Sequence, residues 1–376
     1  MYRVRHYPDF ESIPDSCRPL AQDMVRTGLF AHPDWYSYLM RRVFEGRDEF
    51  RLYVVERMAD EQPLLLLPLR LSRSDAIVPG GQVVAAVSHP ENFAPLMLAL
   101  DATVDDCVPL LEVLFQHLRY GGGEAPSDGL RLGPLADGSQ LAADVLTALR
   151  QSGYWTQTYA NSFNYYEVTA GVSHEAYLAS RSANFRYNVR RRQRALERTG
   201  SLEIVVYQEG DLSRALDEYR QVSLRSWKAA PTMIALGTLE LMELAARHGS
   251  LRLGILRLDG IALAAQFWIV TGGVAHCARL AYREDYKHLA PGVVLTDAVL
   301  AWVLDRDRVV GIDFGYGTED YKQGWMRDSR CYFGLAGFNR GTRLGLLYGA
   351  RHILGRPLKQ SARWLRDRLR RREITG

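Results

Sequence analysis

Residues 281–295 read "AYREDYKHLAPGVVL", and residues 311–325 read "GIDFGYGTEDYKQGW". In the first stretch an apolar strand pattern ends at Tyr282, and a helix pattern opens at Gly292. Backbone N–H groups at a helix N-terminus bind anions without help from particular side chains. The connecting loop adds three basic side chains: Arg283, Lys287 and His288. This order predicts an anion site between strand and helix, although an ordinary capped surface connection has the same loop pattern.

The second stretch joins a strand end to a glycine pair and a Tyr-Lys pair. Asp313 comes after an apolar lead-in, and Gly315 and Gly317 follow it closely. Glycines keep such a loop thin, so that a substrate can approach the backbone. A glycine pair after a strand is typical of phosphate-binding loops, and a Tyr-Lys pair is typical of catalysis. An ordinary turn remains the alternative for both.

Composition bounds the class of protein. The chain has 376 residues, which suits two domains that each bury a core. Hydrophobic residues make up 47% and charged residues 24%, the usual globular mixture. Because no apolar run approaches the ~20 residues of a membrane helix, and the first residues lack a signal-peptide core, we expect a cytoplasmic protein. The four cysteines are far apart and form no CxxC pair, so we expect neither a disulfide framework nor a metal site.

The net charge of +4 is unevenly distributed. Residues 181–198 hold seven arginines and one glutamate, and residues 351–373 hold eight arginines and one lysine against two acidic residues. Any polyanion would meet these two segments first. Residues 357–373 also carry an apolar stripe, which predicts a basic amphipathic helix. Such a helix suits peripheral contact with an anionic membrane, at the inner face, or packing onto the domain.

Two similar stretches indicate a duplicated fold. The stretch "FRLYVVERMADEQPLLLLPLRL" begins at Phe50, and "LRLGILRLDGIALAAQFWIV" begins at Leu251. Each predicts a β-hairpin, and each follows a helical segment that contains tryptophan. The same order in both halves predicts two copies of one fold. We therefore divide the chain into three units: residues 1–165, residues 166–342 and a basic tail at residues 343–376.

The second half resembles the GNAT-like acyltransferases first associated with bacterial cellulose and exopolysaccharide gene clusters. The matching segments are "RYNVRRRQRALERTG", "SWK", "DGIALAAQFWIV", "AYREDYKHLAPGVVL" and "DFGYGTEDYKQGW". The chain also resembles the Fem-type aminoacyl-tRNA transferases, which pair two GNAT folds. The resemblance covers roughly residues 170–340 and is weaker in the first half. It implies an α/β (α+β) protein of two tandem GNAT-like folds, each a mixed, mostly antiparallel sheet flanked by helices, with a basic C-terminal helix.

The resemblance also implies a donor site. An acyl-CoA donor would lie at the strand–helix junction, against Tyr282, Arg283, Lys287, Gly292 and Val293. The usual GNAT loop, Arg/Gln-x-x-Gly-x-Gly/Ala, is reduced here to a single glycine after Ala-Pro. Binding of coenzyme A is therefore inferred from the order of elements, and the donor stays open between acyl-CoA and aminoacyl-tRNA, with tRNA then a partner.

Acyl transfer to an amine needs removal of a proton, donors for the oxyanion and a proton for the leaving group. Asp313 would take or relay the first proton. Tyr321 stands where GNAT proteins carry the tyrosine that protonates the thiolate, and Lys322 corresponds to a Fem-like lysine at the reaction centre. Four further residues would contact the substrate: Trp227, Lys228, Gln266 and Arg279. In the alternative interpretation, Asp313 caps a turn and Lys322 is solvated.

Three functions follow from these features. The first is an N-acyltransferase that moves an acyl group from acyl-CoA to the amine of a small acceptor, an amino sugar or amino acid derivative. The second is an aminoacyl-tRNA-dependent transferase that forms an amide bond. The third is a non-catalytic scaffold that binds RNA or membrane. The chain lacks the GxSxG, HExxH and Walker motifs, which argues against serine hydrolases, zincins and NTPases.

Overall fold

A single, mostly antiparallel sheet runs through both halves of the chain. The computed structural model describes residues 1–89, 96–210, 212–226, 237–317 and 320–353. Within these residues the sheet has 13 strands, in the spatial order β1-β2-β3-β4-β6-β13-β7-β12-β11-β10-β9-β8, with β5 on β3. The strands are β1 Tyr2–Tyr7, β2 Glu49–Arg57, β3 Pro63–Ser72, β4 Val83–Ala86, β5 Ala99–Leu100, β6 Gly129–Ala136, β7 Tyr154–Val168, β8 Leu202–Tyr207, β9 Leu251–Leu258, β10 Ile261–Thr271, β11 Val274–Tyr282, β12 Gly311–Tyr316 and β13 Ser329–Asn339.

Helices cover both faces of this sheet. They are α1 Arg18–Arg26, α2 Pro33–Arg42, α3 Val108–Tyr120, α4 Gln140–Gln151, α5 His174–Ala179, α6 Ala183–Thr199, α7 Ser213–Leu224, α8 Thr238–Arg247, α9 Pro291–Ala301 and α10 Asp320–Trp325. Residues 343–353 are also helical. Among the described helices, none combines the length and the apolar composition of a membrane span. The predicted amphipathic segment, residues 357–373, lies outside the described residues.

The two predicted hairpins are present. Strand β2 pairs with β3, and β9 pairs with β10, both antiparallel. The second hairpin turns at Asp259 and Gly260, which both have a positive φ, as tight hairpin turns require. Parallel pairing occurs at β4–β6 and at β11–β12. The architecture is therefore the mixed, mostly antiparallel α/β fold that the sequence predicts.

The last strand connects the two halves. Strand β13 pairs antiparallel with β6 on one side and with β7 on the other. Its final residue, Asn339, is fully buried and donates from Nδ2 to the carbonyl oxygens of Arg119 and Ser127 at 2.9 and 2.8 Å. The predicted boundary between residues 165 and 166 falls within β7. Strand β13, which comes from the second half of the chain, thus pairs with β6 of the first half.

One apolar cluster spans both halves on one face of the sheet. It contains Trp35 of α2, Leu52 of β2 and Leu253 of β9, although β2 and β9 lie near opposite ends of the strand order. Residues of α1 and α2 thus belong to the same apolar cluster as strands from both halves. The other face carries two separate clusters, under α3 and α4 in the first half and under α6 and α9 in the second.

His276 lies at the centre of this shared face. It pairs in register with Asp313 of β12, and its ring meets Phe30 edge-on with 5.1 Å between centroids. The residue is 7% exposed, and burial lowers its pKa from 6.5 to about 4, although Asp313 opposes this shift. Burial likewise lowers the pKa of His89 to about 3. Both rings are neutral in the folded protein near neutral pH.

This neutral histidine makes the free energy of unfolding depend on pH. Because the folded pKa lies below that of the unfolded chain, the stabilisation is complete above about pH 6.5 and is lost as the pH falls towards about 4. We expect His276→Gln to reduce the slope of the unfolding free energy by about 1.4 kcal/mol per pH unit between pH 6 and 4.5. Urea unfolding at several pH values measures this slope. An unchanged slope would mean that the ring is protonated in the folded protein.

Gly254 on β9 allows α9 to approach the sheet. A Cβ atom at this position would lie 2.7 Å from Val299 Cγ2 and 3.0 Å from Leu295 Cδ1. We expect Gly254→Val to lower the free energy of unfolding by about 1–3 kcal/mol, because overpacking must displace the helix. Urea unfolding of the purified variant gives the value. Wild-type stability would show that α9 can move outward without cost.

Candidate active site

The sheet opens where β11 and β12 separate. These parallel strands pair at Val274–His276 with Gly311–Asp313. Beyond these residues β11 continues to Tyr282, and the described chain shows no further pairing between the two strands. Strand β10 remains paired with β11 as far as Tyr282. One edge of the opening is thus β11, which is held by its pairing with β10. The opening leads towards the start of α9.

A cavity of about 370 Å³ lies next to this opening. It is lined by residues of α6, β11, α9, α10 and the β11–α9 connection: Arg192, Leu280, Tyr282, Lys287, Ala290, Gly292, Val293, Thr296, Tyr321 and Trp325. Most of the lining is apolar. The described lining contains two basic side chains and no acidic one. The cavity therefore suits a largely apolar group with an anionic end.

Four of the five predicted donor-binding residues line this cavity, namely Tyr282, Lys287, Gly292 and Val293. The fifth, Arg283, is instead paired with Asp285 at 2.5 Å and lies over the ring of Tyr286. Lys287 is exposed and forms an ion pair with Glu284 at 2.9 Å. Exposed pairs of this kind are weak, so Lys287 can exchange its partner for an anionic ligand.

Gln266 supports the cavity wall from behind. It is fully buried, and its Nε2 donates to the carbonyl oxygen of Gly292 at 3.0 Å and to Thr296 Oγ1 at 2.6 Å. Its Oε1 accepts a hydrogen bond from Trp268 Nε1 at 3.0 Å. Gln266 thus contacts the first turn of α9, and its predicted contact with substrate stays a prediction. The side chain fixes the helix start against β10.

Asp313 is buried at the point where the strands separate. Its carboxylate accepts hydrogen bonds from Arg330 Nη2 at 2.7 Å, from the backbone N of Gly315 at 2.7 Å and from Asn164 Nδ2 at 3.3 Å. Asp313 is not among the described residues that line the cavity. These contacts engage both carboxylate oxygens and fit the alternative of a capped turn, and the predicted catalytic role of Asp313 stays a prediction.

Tyr321 and Lys322 are adjacent on α10 but differ in exposure. Tyr321 is 38% exposed and lines the cavity, whereas Lys322 is 3% exposed and is not among its described lining. The ring of Trp325, one turn further along, forms the adjoining wall. Of the three predicted catalytic residues, Tyr321 lines the cavity, and Asp313 and Lys322 are not among its described lining residues.

Arg279 lies on the other face of the sheet. It is near Tyr38 and His89, and burial lowers its pKa to about 10. Its neighbours Leu280 and Tyr282 line the cavity instead. A bulge in the β10–β11 pairing next to this residue shifts the alternation of side chains, which a strand pattern alone does not reveal. The predicted Trp227 and Lys228 lie outside the described residues.

Arg192 is the main residue of the site that the sequence interpretation missed. The arginine-rich segment reads as charge on all sides of a helix, yet Arg192 stands between the buried Val189 and Leu196. These three residues share one face of α6, since residues three and four apart are neighbours on a helix. Arg192 follows Val189 by three residues and precedes Leu196 by four. This spacing in the sequence could have predicted that Arg192 lies on the inward face of α6.

A further polar group joins α2 to the end of α8. His248 Nε2 lies 2.8 Å from Asp34 Oδ2, and the rings of His32 and His248 are tilted by 55° with 4.1 Å between their centroids. The three potential ligand atoms lie within 4.8 Å of one another. However, His32 Nδ1 accepts the backbone N–H of Asp34 as the N-cap of α2. Helix capping and helix contact account for this group without a metal.

Comparison with known proteins agrees with the geometry. Residues 183–323 match the family model described as an acetyltransferase (GNAT) domain. The crystal structure of FemX is similar with a TM-score of 0.55 and 9% identity, over 85% of this chain and 96% of that chain. A protein of unknown function from Bacteroides thetaiotaomicron VPI-5482 is similar with a TM-score of 0.55 and 11% identity, over 89% of this chain and 100% of that chain.

A tandem GNAT protein from the clavulanic acid biosynthesis pathway shares 14% identity, with a TM-score of 0.49, over 89% of this chain and 98% of that chain. A sequence search of curated proteins found no match. At such low identities the solved structures inform on fold alone. Residues 183–323 thus match a GNAT domain, and the mixed α/β fold of the chain resembles that of FemX.

Proposed function

We propose that the chain is an N-acyltransferase that transfers an acyl group from acyl-CoA to the amine of a small acceptor. The observation that carries this proposal is the cavity between β11 and the start of α9, at the opening of the sheet. The match of residues 183–323 to a GNAT domain supports it. The absence of acidic groups from the described lining also suits a donor that carries phosphates.

The donor would lie along β11. Its diphosphate would sit at the first turn of α9, where Gly292 leaves room and the helix dipole favours negative charge. Arg192 and Lys287 would add positive charge at the same end of the cavity. The apolar walls formed by Leu280 and Trp325 would enclose the thioester arm. Its amide groups would pair with the backbone of β11 in the gap left by β12.

The reaction would occur where Tyr321 faces the cavity. The ammonium group of the acceptor first loses a proton to water, and the neutral amine attacks the thioester carbonyl. As the C–N bond forms and the C–S bond breaks, the nitrogen releases a second proton to water. The Tyr321 hydroxyl would give its proton to the departing thiolate and recover one from solvent. Asp313 would act indirectly, because its contacts with Gly315 and Arg330 hold the strand end beside the opening.

A second candidate uses aminoacyl-tRNA as the donor. The observation that favours it is the exposed arginine face of α6, which lies on the side of the helix away from Arg192 and its buried neighbours. Its members are Arg190, Arg191, Arg194 and Arg198. Phosphates of a nucleic acid backbone bind such faces, and the similarity in fold to FemX is compatible with this donor. In this reaction an ester rather than a thioester bond breaks.

Gly292→Asp tests the donor site, with Gly292→Asn as the uncharged control of the same shape. A Cβ here would be 3.4 Å from Tyr282 Cδ1, an ordinary contact, so both variants should fold. We expect the aspartate to weaken binding of coenzyme A by about tenfold or more relative to the asparagine, since like charges a few ångströms apart repel by about 3 kcal/mol at an effective dielectric constant of ~20. Isothermal titration calorimetry measures both affinities. Equal affinities would place the diphosphate elsewhere.

Tyr321→Phe distinguishes the two donors, with the exposed Tyr187→Phe of α6 as the control. With an ester donor the variant should lose about 10²-fold or more in kcat, because an alkoxide is a poor leaving group without a proton. With a thioester donor the loss should be smaller, since a thiolate leaves readily. Turnover is measured with acetyl-CoA and with aminoacyl-tRNA. Wild-type turnover with both donors would remove Tyr321 from the chemistry.

A further inference from the structure

A second cavity, of about 340 Å³, lies on the other side of α10 from the first. Two arginines, Arg181 and Arg327, and three amide side chains, Asn184, Asn188 and Gln323, contribute to its walls. No acidic side chain is among the described residues of its lining. Its surface therefore offers many hydrogen-bond donors and an excess of positive charge.

Arg181 is the buried element of this cavity. The residue is 5% exposed, its Nη2 donates to Glu167 Oε1 at 2.6 Å, and its guanidinium lies 4.0 Å from the ring centroid of Tyr177. Within the described chain, Nε and Nη1 have no hydrogen-bond partner. Buried charged donors without a partner are costly, so native proteins seldom retain them without a purpose.

The surrounding charges do not cancel. Glu167 accepts from Arg181 through Oε1 and from the backbone N of Arg327 through Oε2 at 3.1 Å, so both of its oxygens are engaged. The exposed guanidinium of Arg327 remains as a second cation. Asn188 Nδ2 donates to Asn184 Oδ1 at 3.2 Å, which orders these amides along the first turns of α6. The N-terminus of that 17-residue helix adds its own positive dipole.

The wall between the two cavities is thin. Gly324 faces Phe185, and a Cβ at this glycine would lie 2.5 Å from Phe185 Cε2. The ring of Phe185 meets Trp325 edge-on, with 4.8 Å between centroids. Residues of α10 thus line both cavities, with Tyr321 and Trp325 on one side and Gln323 and Gly324 on the other.

We propose that this second cavity binds a phosphoryl group. A tetrahedral phosphoryl group offers three oxygens, which would accept from Arg181, from Arg327 and from an amide at the same time. The phosphoryl group belongs either to a small phosphorylated acceptor or to the backbone of a nucleic acid. Binding here does not require the donor cavity to be filled.

The experiment titrates inorganic phosphate into the full-length protein, against chloride at equal ionic strength, by isothermal titration calorimetry. We expect saturable binding that Arg327→Gln weakens by about tenfold, a loss of about 1.4 kcal/mol, as for one charge-assisted contact. Arg327 is exposed, so this variant should fold. The control is Arg150→Gln, an exposed arginine on α4 in the first half, which should bind as wild type does. Absent saturable binding, or equal binding by Arg327→Gln and wild type, overturns the proposal.

Gly292→Asp separates this site from the donor cavity. Phosphate binding should survive in this variant even where binding of coenzyme A is lost, and its loss there would place the phosphate in the first cavity instead. Arg181→Lys, which keeps the charge and removes the planar donors, should also weaken binding.

Glucosamine 6-phosphate and a short single-stranded RNA then compete with inorganic phosphate. Displacement by the sugar phosphate indicates a small acceptor, and displacement by RNA indicates a nucleic acid.

Discussion

The ion pair between Asp313 and Arg330 holds the sheet together at the place where it opens. Asp313 belongs to β12, Arg330 to β13, and Asn164, which also contacts the carboxylate, to β7. These three strands are neighbours at the junction of the two halves. On the other side of Asp313, β11 leaves β12 and makes room for a ligand. A buried carboxylate with several charge-assisted partners can fix three strands at once, and the position of the cavity depends on that arrangement.

The sequence predicts the individual helices and strands better than it predicts which strands pair with one another. The hairpins at residues 50–71 and 251–270 follow from local apolar patterns, and the helix at Gly292 follows from a strand, a loop and a Pro-Gly start. The cavity lies at this junction of strand and helix, beside Tyr282 and Gly292. The pairing of β13 with β6 and β7 depends on contacts between residues roughly 165 to 210 positions apart in the sequence, which no local pattern encodes. Asp313 and Gln266 are both buried and hydrogen-bonded, and a local sequence pattern does not distinguish a buried polar residue of this kind from one that contacts a ligand.

The short helix α10 is the element that the two cavities share. One side of it presents an aromatic, largely apolar surface with a single hydroxyl, and the other presents an amide beside two guanidinium groups. Gly324 packs α10 closely against Phe185. A movement of α10 that changed the shape of one cavity would therefore change the shape of the other cavity too. Under the two proposals, the segment "YKQGW" would contribute to both sites, with Tyr321 and Trp325 at one cavity and Gln323 at the other.

The place of β13 in the sheet has a consequence for how the chain is made. During synthesis from the N-terminus, β6 and β7 emerge long before the strand that must lie between them. Until residues 329–339 have left the ribosome, both strands present unpaired edges, which invite association with other chains. The first half cannot complete its sheet while the second half is being translated. Nascent chains of this protein would therefore depend on protection by chaperones for longer than chains whose domains close in sequence order.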